Sequence, residues 1–399
     1  MPAESQIPIA SQSLSRRFAV RLALFYAAIF GLTGCQLPFF PVWLKAVGID
    51  AAWIGIISAV PALTRFTVLP VVTGLAERHA AVRGAMIATA FATTLGFAVI
   101  GTQHLPVAVF VAYVLTSAVW TPTIPLTDAY ALRGVVQLGL DYGPVRLWGS
   151  AAFIIGALGC GWLAGLIAAE HLIWIIVAAA ALGALIGLGL QPLDARKTKT
   201  PTEHGTAASL RGPAFLAIIV TAALIQGSHS VYYVFGSITW QLAGLDSLTI
   251  AVLWAIGVVA EIVVFALSPR FALQPSTLVM LGGLGAVARW LITAQEPPVA
   301  ILAVVQLAHG LSFGLTQVGT MGLMVRHVPL PVVTRAQGYL AASSGIVSSG
   351  ASIVSGLIYT RYGLGAYYAM AAMALAGALI MWAARRSLQA HPQSAGSGG

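Results

Sequence analysis

Glu261 is the one carboxylate deep inside the apolar run 244–268, GLDSLTIAVLWAIGVVAEIVVFALS. A carboxylate surrounded by hydrocarbon is costly, so by default it marks a functional site and needs a partner. Its surroundings can tune its hold on a proton, which is what a proton carrier requires. The competing use is a static ion pair between helices. Arg289, in the next apolar segment, is the nearest partner by order along the chain. It either keeps Glu261 ionised or grips a substrate carboxylate with its planar fork, or it is that static pair. His309 stands alone in a further apolar segment, where it relays a proton or hydrogen-bonds to Glu261 or Gln306. Glu261, Arg289 and His309 form the expected proton-coupling set. Arg289, His229, Gln226, Tyr233, Trp254 and Gln306 form the expected substrate-contact set.

A second ionisable group precedes these. Arg65 interrupts an apolar run and pairs with Asp128 in the expected arrangement; Asp128 pairs instead with Arg146 in the alternative. Such contacts serve as gates, made in one state and broken in another, or as fixed braces. Glu77, Arg78 and Asp141 read as loop or latch contacts. Tyr26, Phe30, Trp120, Tyr232, Tyr233, Trp240 and Trp254 suit the walls of a substrate path. Lipid contact or packing is the alternative for each. Trp43 and Trp174 read as anchors at the membrane interface.

The elements that must position these groups are transmembrane helices. The 399 residues are 59% hydrophobic and 8% charged, with mean hydropathy +0.91. A soluble domain carries about 25% charged residues, so most of this chain faces lipid or other apolar helices. Twelve spans are expected at 18–43, 51–75, 82–102, 105–130, 145–169, 172–191, 213–240, 248–268, 275–294, 298–325, 336–360 and 364–384. Met1 to Leu14 is polar, so the first apolar segment reads as an anchor and not as a cleaved signal. The longest polar break divides the spans six and six. The expected organisation is a tail (1–17), a six-helix bundle (18–191), a linker (192–212), a second bundle (213–386) and a tail (387–399).

Orientation follows from the basic residues. With both termini inside, sixteen of the 20 Lys and Arg fall on the inner side, and only Lys45 and Arg361 on the outer. That asymmetry is the mark of cytoplasmic loops, and it accounts for the net charge of +9 without a nucleic-acid partner. Cys35 and Cys160 lie in apolar spans, and no Cys/His cluster has metal-ligand spacing, so neither a disulfide nor a metal site is expected.

The halves also repeat. Gly48-Ile49-Asp50 and Gly244-Leu245-Asp246 lie 196 residues apart, each shortly after a Trp (Trp43, Trp240). The same offset carries Arg65 onto Glu261. In the last pair of spans, Ser343-Ser344-Gly345 through Ser348-Ser349-Gly350-Ala351-Ser352 reads as a close helix crossing and not as a serine nucleophile. The sequence has no nucleophile elbow, HExxH or P-loop.

Six plus six spans around a basic linker already suggest a carrier whose halves rock about a midplane site. The loop Gly74-Leu75-Ala76-Glu77-Arg78-His79, followed by Arg83, resembles the cytoplasmic latch of the major facilitator superfamily, with Glu77 in place of the usual Asp. Longer strings resemble its phenylpropionate permeases, distant relatives of lactose and nucleoside proton symporters. These are Pro38-Phe39-Phe40-Pro41-Val42-Trp43-Leu44-Lys45, Pro125-Leu126-Thr127-Asp128-Ala129, Asp141-Tyr142-Gly143-Pro144-Val145-Arg146-Leu147-Trp148-Gly149-Ser150, Gln226-Gly227-Ser228-His229, Val258-Val259-Ala260-Glu261-Ile262 and Ala288-Arg289-Trp290. The resemblance implies an all-α membrane protein of twelve helices in two pseudo-symmetric bundles. It implies proton-coupled uptake of a small aromatic carboxylate across the inner (plasma) membrane, by a monomer without cofactors. It also implies a coupling Glu in span 8 and a working His in span 10. Lactose permeases carry a Glu three residues beyond that His; here Ser312 occupies the position, so that His–Glu pair is missing. A nucleoside or sugar symporter and a drug-efflux antiporter are the alternatives.

Overall fold

A computed structural model describes residues 9–79, 81–138, 142–193, 210–328 and 333–389. With no water to satisfy the backbone in hydrocarbon, long apolar runs must pair their own N–H and C=O groups, and the helix does so. The chain runs through α1 (Ile9–Ala46), α2 (Ala51–Thr67), α3 (Leu69–Arg78), α4 (Val82–Gly101), α5 (Pro106–Trp120), α6 (Thr123–Leu138), α7 (Tyr142–Ala164) and α8 (Leu172–Leu188). It continues through α9 (Pro213–Gly227), α10 (Ser230–Leu242), α11 (Ser247–Leu267), α12 (Pro275–Thr293), α13 (Val299–His309), α14 (Thr316–His327), α15 (Val333–Tyr362) and α16 (Ala366–Gln389). Each of the twelve expected spans falls on helix, and no strand occurs among the described residues. By length and composition, nine helical stretches among them can cross a membrane, or ten with the bent pair α2–α3; one of the nine, Arg335–Leu388, contains both α15 and α16.

Several spans are broken where the sequence weakens the helix. The α2–α3 break bends the chain by 45° just ahead of Pro70, and α5 gives way to α6 at Thr121-Pro122. Proline lacks the N–H that would continue the ladder. The α9–α10 break at Ser228-His229 follows Gly227, and the His229 amide turns back to the Gln226 carbonyl at 3.2 Å. In the tenth span the six residues Gly310–Leu315 form a π-helical turn directly after His309.

The short repeat is real in backbone detail. Gly48 and Gly244 both take positive φ, 86° and 85°, the left-handed conformation that glycine adopts without a Cβ clash. Their amides bond to the carbonyls of Lys45 and Gln241, and the next amides, of Ile49 and Leu245, bond to those of Leu44 and Trp240. Asp50 then caps the following helix through the Trp53 amide, and Asp246 through the Leu248 and Thr249 amides. The Thr249 hydroxyl and these amides hold the Asp246 carboxyl below its usual range. Arg65 and Glu261 both stand fifteen residues past their capping Asp, about 22 Å along each helix at ~1.5 Å per residue.

By contacts the chain divides into two compact units. The first holds the described parts of Met1–Ile49, Thr67–Lys199 and Asp246–Ala251; the second holds those of Asp50–Phe66, Thr200–Leu245 and Val252–Gly399. Most of α2 thus belongs by contacts to the second unit. In the first unit α1 crosses α7 at backbone distance. A Cβ on Gly156 would lie 2.2 Å from the Gly31 carbonyl oxygen, and one on Gly34 2.2 Å from that of Phe153. Phe18, Leu22, Phe25, Tyr26 and Ile29 of α1 bury against Met86, Leu126 and Tyr130. Because the Gly156 neighbours are backbone atoms that cannot swing away, Gly156→Val is expected to cost about 3 kcal/mol or more. Thermal unfolding in detergent should then shift down by roughly 4–8 °C; an unchanged midpoint would refute the close crossing.

In the second unit the small-residue stripe of α15 packs on α2, as a crossing and not a nucleophile. Gly55 faces the Ser352 carbonyl and Gly356, and Gly345 faces the Ala62 carbonyl and Phe66. Ser349 donates from Oγ to the Ala59 carbonyl at 3.2 Å.

Candidate functional site

Four helical segments of the second unit bring the expected proton-coupling residues together. α11 supplies Glu261, α12 supplies Arg289, α13 ends on His309, and the π-turn supplies Ser312. His309 Nε2 lies 3.6 Å from Glu261 Oε2, too long for a hydrogen bond as it stands and close enough for the ring to face the carboxylate. The other ring nitrogen, Nδ1, lies 2.8 Å from Arg289 Nη1. Arg289 Nη1 also donates to Ser312 Oγ at 3.3 Å, and Nη2 donates to Gln306 Oε1 at 2.8 Å.

These partners fix the protonation of His309. A guanidinium only donates, so Nδ1 must accept. The proton of the neutral ring is then on Nε2, directed toward the Glu261 carboxylate. His309 is therefore a neutral bridge from a cation to a carboxylate. His229 is wired the same way in reverse. Its Nδ1 faces the Ile225 and Gln226 carbonyls at 3.1 and 3.2 Å, which only accept, so Nδ1 carries the proton. Its Nε2 then accepts from Ser312 Oγ at 3.1 Å. Ser312 thus joins the His229 imidazole to the Arg289 guanidinium.

Exposure differs sharply across this group. Arg289 is 1% exposed, in the corner formed by the Tyr232 and Trp290 rings, 4.6 Å from each centroid. Its Nε has no hydrogen-bond partner among the described residues, and neither has Gln226 Oε1. The Glu261 side chain, by contrast, is 24% exposed. Aromatic rings line the rest. Tyr232 and Trp254 lie 4.6 Å apart, Tyr233 stacks on Trp254 at 6.0 Å, and Trp254 is tied through Nε1 to Ser237 Oγ. Trp290 stacks on Tyr367 and donates to Ser228 Oγ.

The other expected residues distribute as follows. Trp240 packs on Tyr232 at 6.0 Å. Tyr26, Phe30 and Trp120 belong to the first unit, where Tyr26 donates to Asp128 Oδ1. Arg65 belongs to the second unit, is exposed, and lies in electrostatic range of the Tyr233 hydroxyl. The side chains of Glu77, Arg78 and Arg146, and Asp141 altogether, lie outside the described residues, as does most of the expected linker. Ser312, Trp290, Tyr367 and Phe313, whose ring stacks on His309 at 5.3 Å, were not among the expected site residues. Ser312 was legible only as a departure at the third position after His309, and Trp290 only as the neighbour of Arg289.

Comparison with known proteins agrees with this architecture. Residues 19–370 match the model of the MFS_1 like family. The chain is 31% identical over 362 residues to the probable 3-phenylpropionic acid transporter of Escherichia coli (strain K12), covering 89% of this chain and 94% of that protein. It is 29% identical over 356 residues to the maltose permease of Geobacillus stearothermophilus, covering 86% and 89%. Among solved structures, the nucleoside transporter NupG superposes with TM-score 0.77 at 17% identity, over 92% of this chain and 98% of that one. The inward-open xylose transporter XylE from E. coli superposes with TM-score 0.70 at 12% identity, over 93% and 96%. At such identities the structures establish the fold, an all-helical major facilitator fold. The chain belongs to the MFS_1 like family and is a multi-pass membrane transporter of a small molecule, not an enzyme.

Proposed function

We propose that this transporter couples inward movement of a proton to uptake of a small aromatic carboxylate, of the 3-phenylpropionate kind, by alternating access. The observation that carries the reading is the line Arg289–His309–Glu261, which ends on the most exposed of the three groups. Glu261 takes the proton on the outer side. Neutralising it weakens the pull on His309 and so changes the contacts of Arg289, which ties proton arrival to a rearrangement of the cluster. The aromatic walls of Tyr232, Tyr233 and Trp254 suit a planar ring. The relative named as a probable 3-phenylpropionic acid transporter supports the substrate class.

The halves 18–191 and 213–386, joined by the linker 192–212, rock about this site in the proposed cycle. The carrier sits in the plasma membrane as a monomer with both termini cytoplasmic, in keeping with the bias of Lys and Arg. A proton-coupled sugar carrier is the second reading, favoured by the maltose permease relative. Uptake into proteoliposomes of labelled 3-phenylpropionate, maltose and a nucleoside, with and without an inward pH gradient, tests both. Gradient-dependent uptake of the acid alone is expected. Uptake of maltose but not the acid would replace the first reading by the second, and gradient-independent uptake would remove proton coupling.

A further inference from the structure

Arg289 offers little to an incoming ligand. It is 1% exposed, both terminal nitrogens are engaged by His309, Ser312 and Gln306, and two rings lean on it. An acid reaching its fork would first have to displace those side chains. Arg65 is the reverse case: exposed, and held by no hydrogen bond or ion pair among the described residues. A bare guanidinium in an apolar span is costly unless water or an anion meets it.

The packing of α2 shows which way Arg65 faces. Gly55, Ala59, Ala62 and Phe66 form the stripe against α15. At about 100° per residue, Leu63 and Arg65 fall roughly 70–90° to either side of that stripe. Both are exposed. The Leu63 flank suits lipid. The Arg65 flank turns toward Tyr233, whose hydroxyl is within electrostatic range of Arg65, Glu261 and Arg289 together. Tyr233 is half-buried, the accessible end of the row that continues through Trp254 and Tyr232.

We infer that Arg65, not Arg289, receives the carboxylate of the transported acid, while the ring of that acid lies along Tyr233. This rests on the proposed aromatic-acid symport and assigns its anion anchor. The arrangement puts the anion anchor and the proton acceptor within electrostatic range of one tyrosine. A planar fork fits a carboxylate in two parallel hydrogen bonds, and a lysine there makes only a point contact. A neutral analogue of the acid gains nothing from either.

The test is exchange of labelled 3-phenylpropionate at equal pH inside and out, with unlabelled acid and 3-phenylpropionamide as competitors. Wild type, Arg65→Gln, Arg65→Lys and Arg289→Gln are compared after each is shown to elute as folded protein. Arg65→Gln is expected to raise the half-saturation concentration for the acid at least roughly tenfold and to erase the preference for acid over amide. Arg65→Lys should fall between it and wild type, and Arg289→Gln should keep the acid preference. An unchanged acid preference in Arg65→Gln, or its loss in Arg289→Gln alone, overturns the assignment. If Arg65→Gln does not fold, Arg65→Lys decides by the same comparison: acid and amide affinities falling equally would mean a brace. A wild type that exchanges no acid overturns the aromatic-acid reading itself, and this anchor with it.

Discussion

Glu261→Gln is expected to end uphill uptake while leaving exchange at equal pH. Glutamine keeps the shape of the protonated carboxyl and cannot release a proton. With an inward gradient of one pH unit, worth about 1.4 kcal/mol per proton, one-for-one symport by wild type supports roughly tenfold accumulation. In the variant the internal concentration should settle at about the external one, because nothing links substrate movement to the gradient. Exchange at equal pH should stay within roughly threefold of wild type, since an uncharged side chain at position 261 is the loaded state of the proposed cycle. Accumulation that still follows the pH gradient in Glu261→Gln would move the proton site elsewhere.

Arg289→Lys, though it preserves charge, should be nearly as damaging. The guanidinium spans His309 and Ser312 with one nitrogen and Gln306 with the other, and it fits the corner between Tyr232 and Trp290. An ammonium is a compact point charge and cannot reach both sides. Each hydrogen bond to a charged group contributes about 1.5–3 kcal/mol when buried, so losing two of three lowers stability by about 3 kcal/mol or more. His309 would also lose the donor that fixes its tautomer, and gradient-driven uptake should drop at least roughly tenfold. A lysine variant with wild-type thermal midpoint and accumulation would show that charge alone, and not the fork, organises the site.

Much of this was legible in the residues because ionisable groups are so scarce in apolar runs. Glu261, Arg289 and His309 were each visible in isolation, and the structure brings all three into one cluster. The repeat of Gly48 and Gly244 was legible because positive φ and an Asp cap leave a short, specific signature. Helix breaks were less so. Pro70 and Pro122 mark them, yet in membranes proline is also tolerated in continuous helices, and α1 itself carries Pro38 and Pro41. The π-turn at Gly310–Leu315 left no trace, because a hydropathy pattern does not record which carbonyl each amide chooses. Ser312 was missed for that reason: its position against His229 depends on the turn. The side of α2 that Arg65 occupies was also hidden, since it depends on the match between Gly55 and the stripe of α15.

The wiring of the two imidazoles limits what the cluster can store. Nδ1 of His309 is taken by Arg289, and Nε2 of His229 is taken by Ser312. Neither ring has a free lone pair, so neither can gain a proton without breaking one of those bonds. In the proposed cycle Glu261 is then the group of this cluster that stores the proton. One proton with one monovalent carboxylate moves no net charge. The proposed cycle is electroneutral: a potassium-diffusion potential across the vesicle should leave the initial rate unchanged, and the cell's voltage would do no work on the cargo. Accumulation would follow the pH gradient alone, which makes this a carrier suited to acidic surroundings even in a depolarised cell.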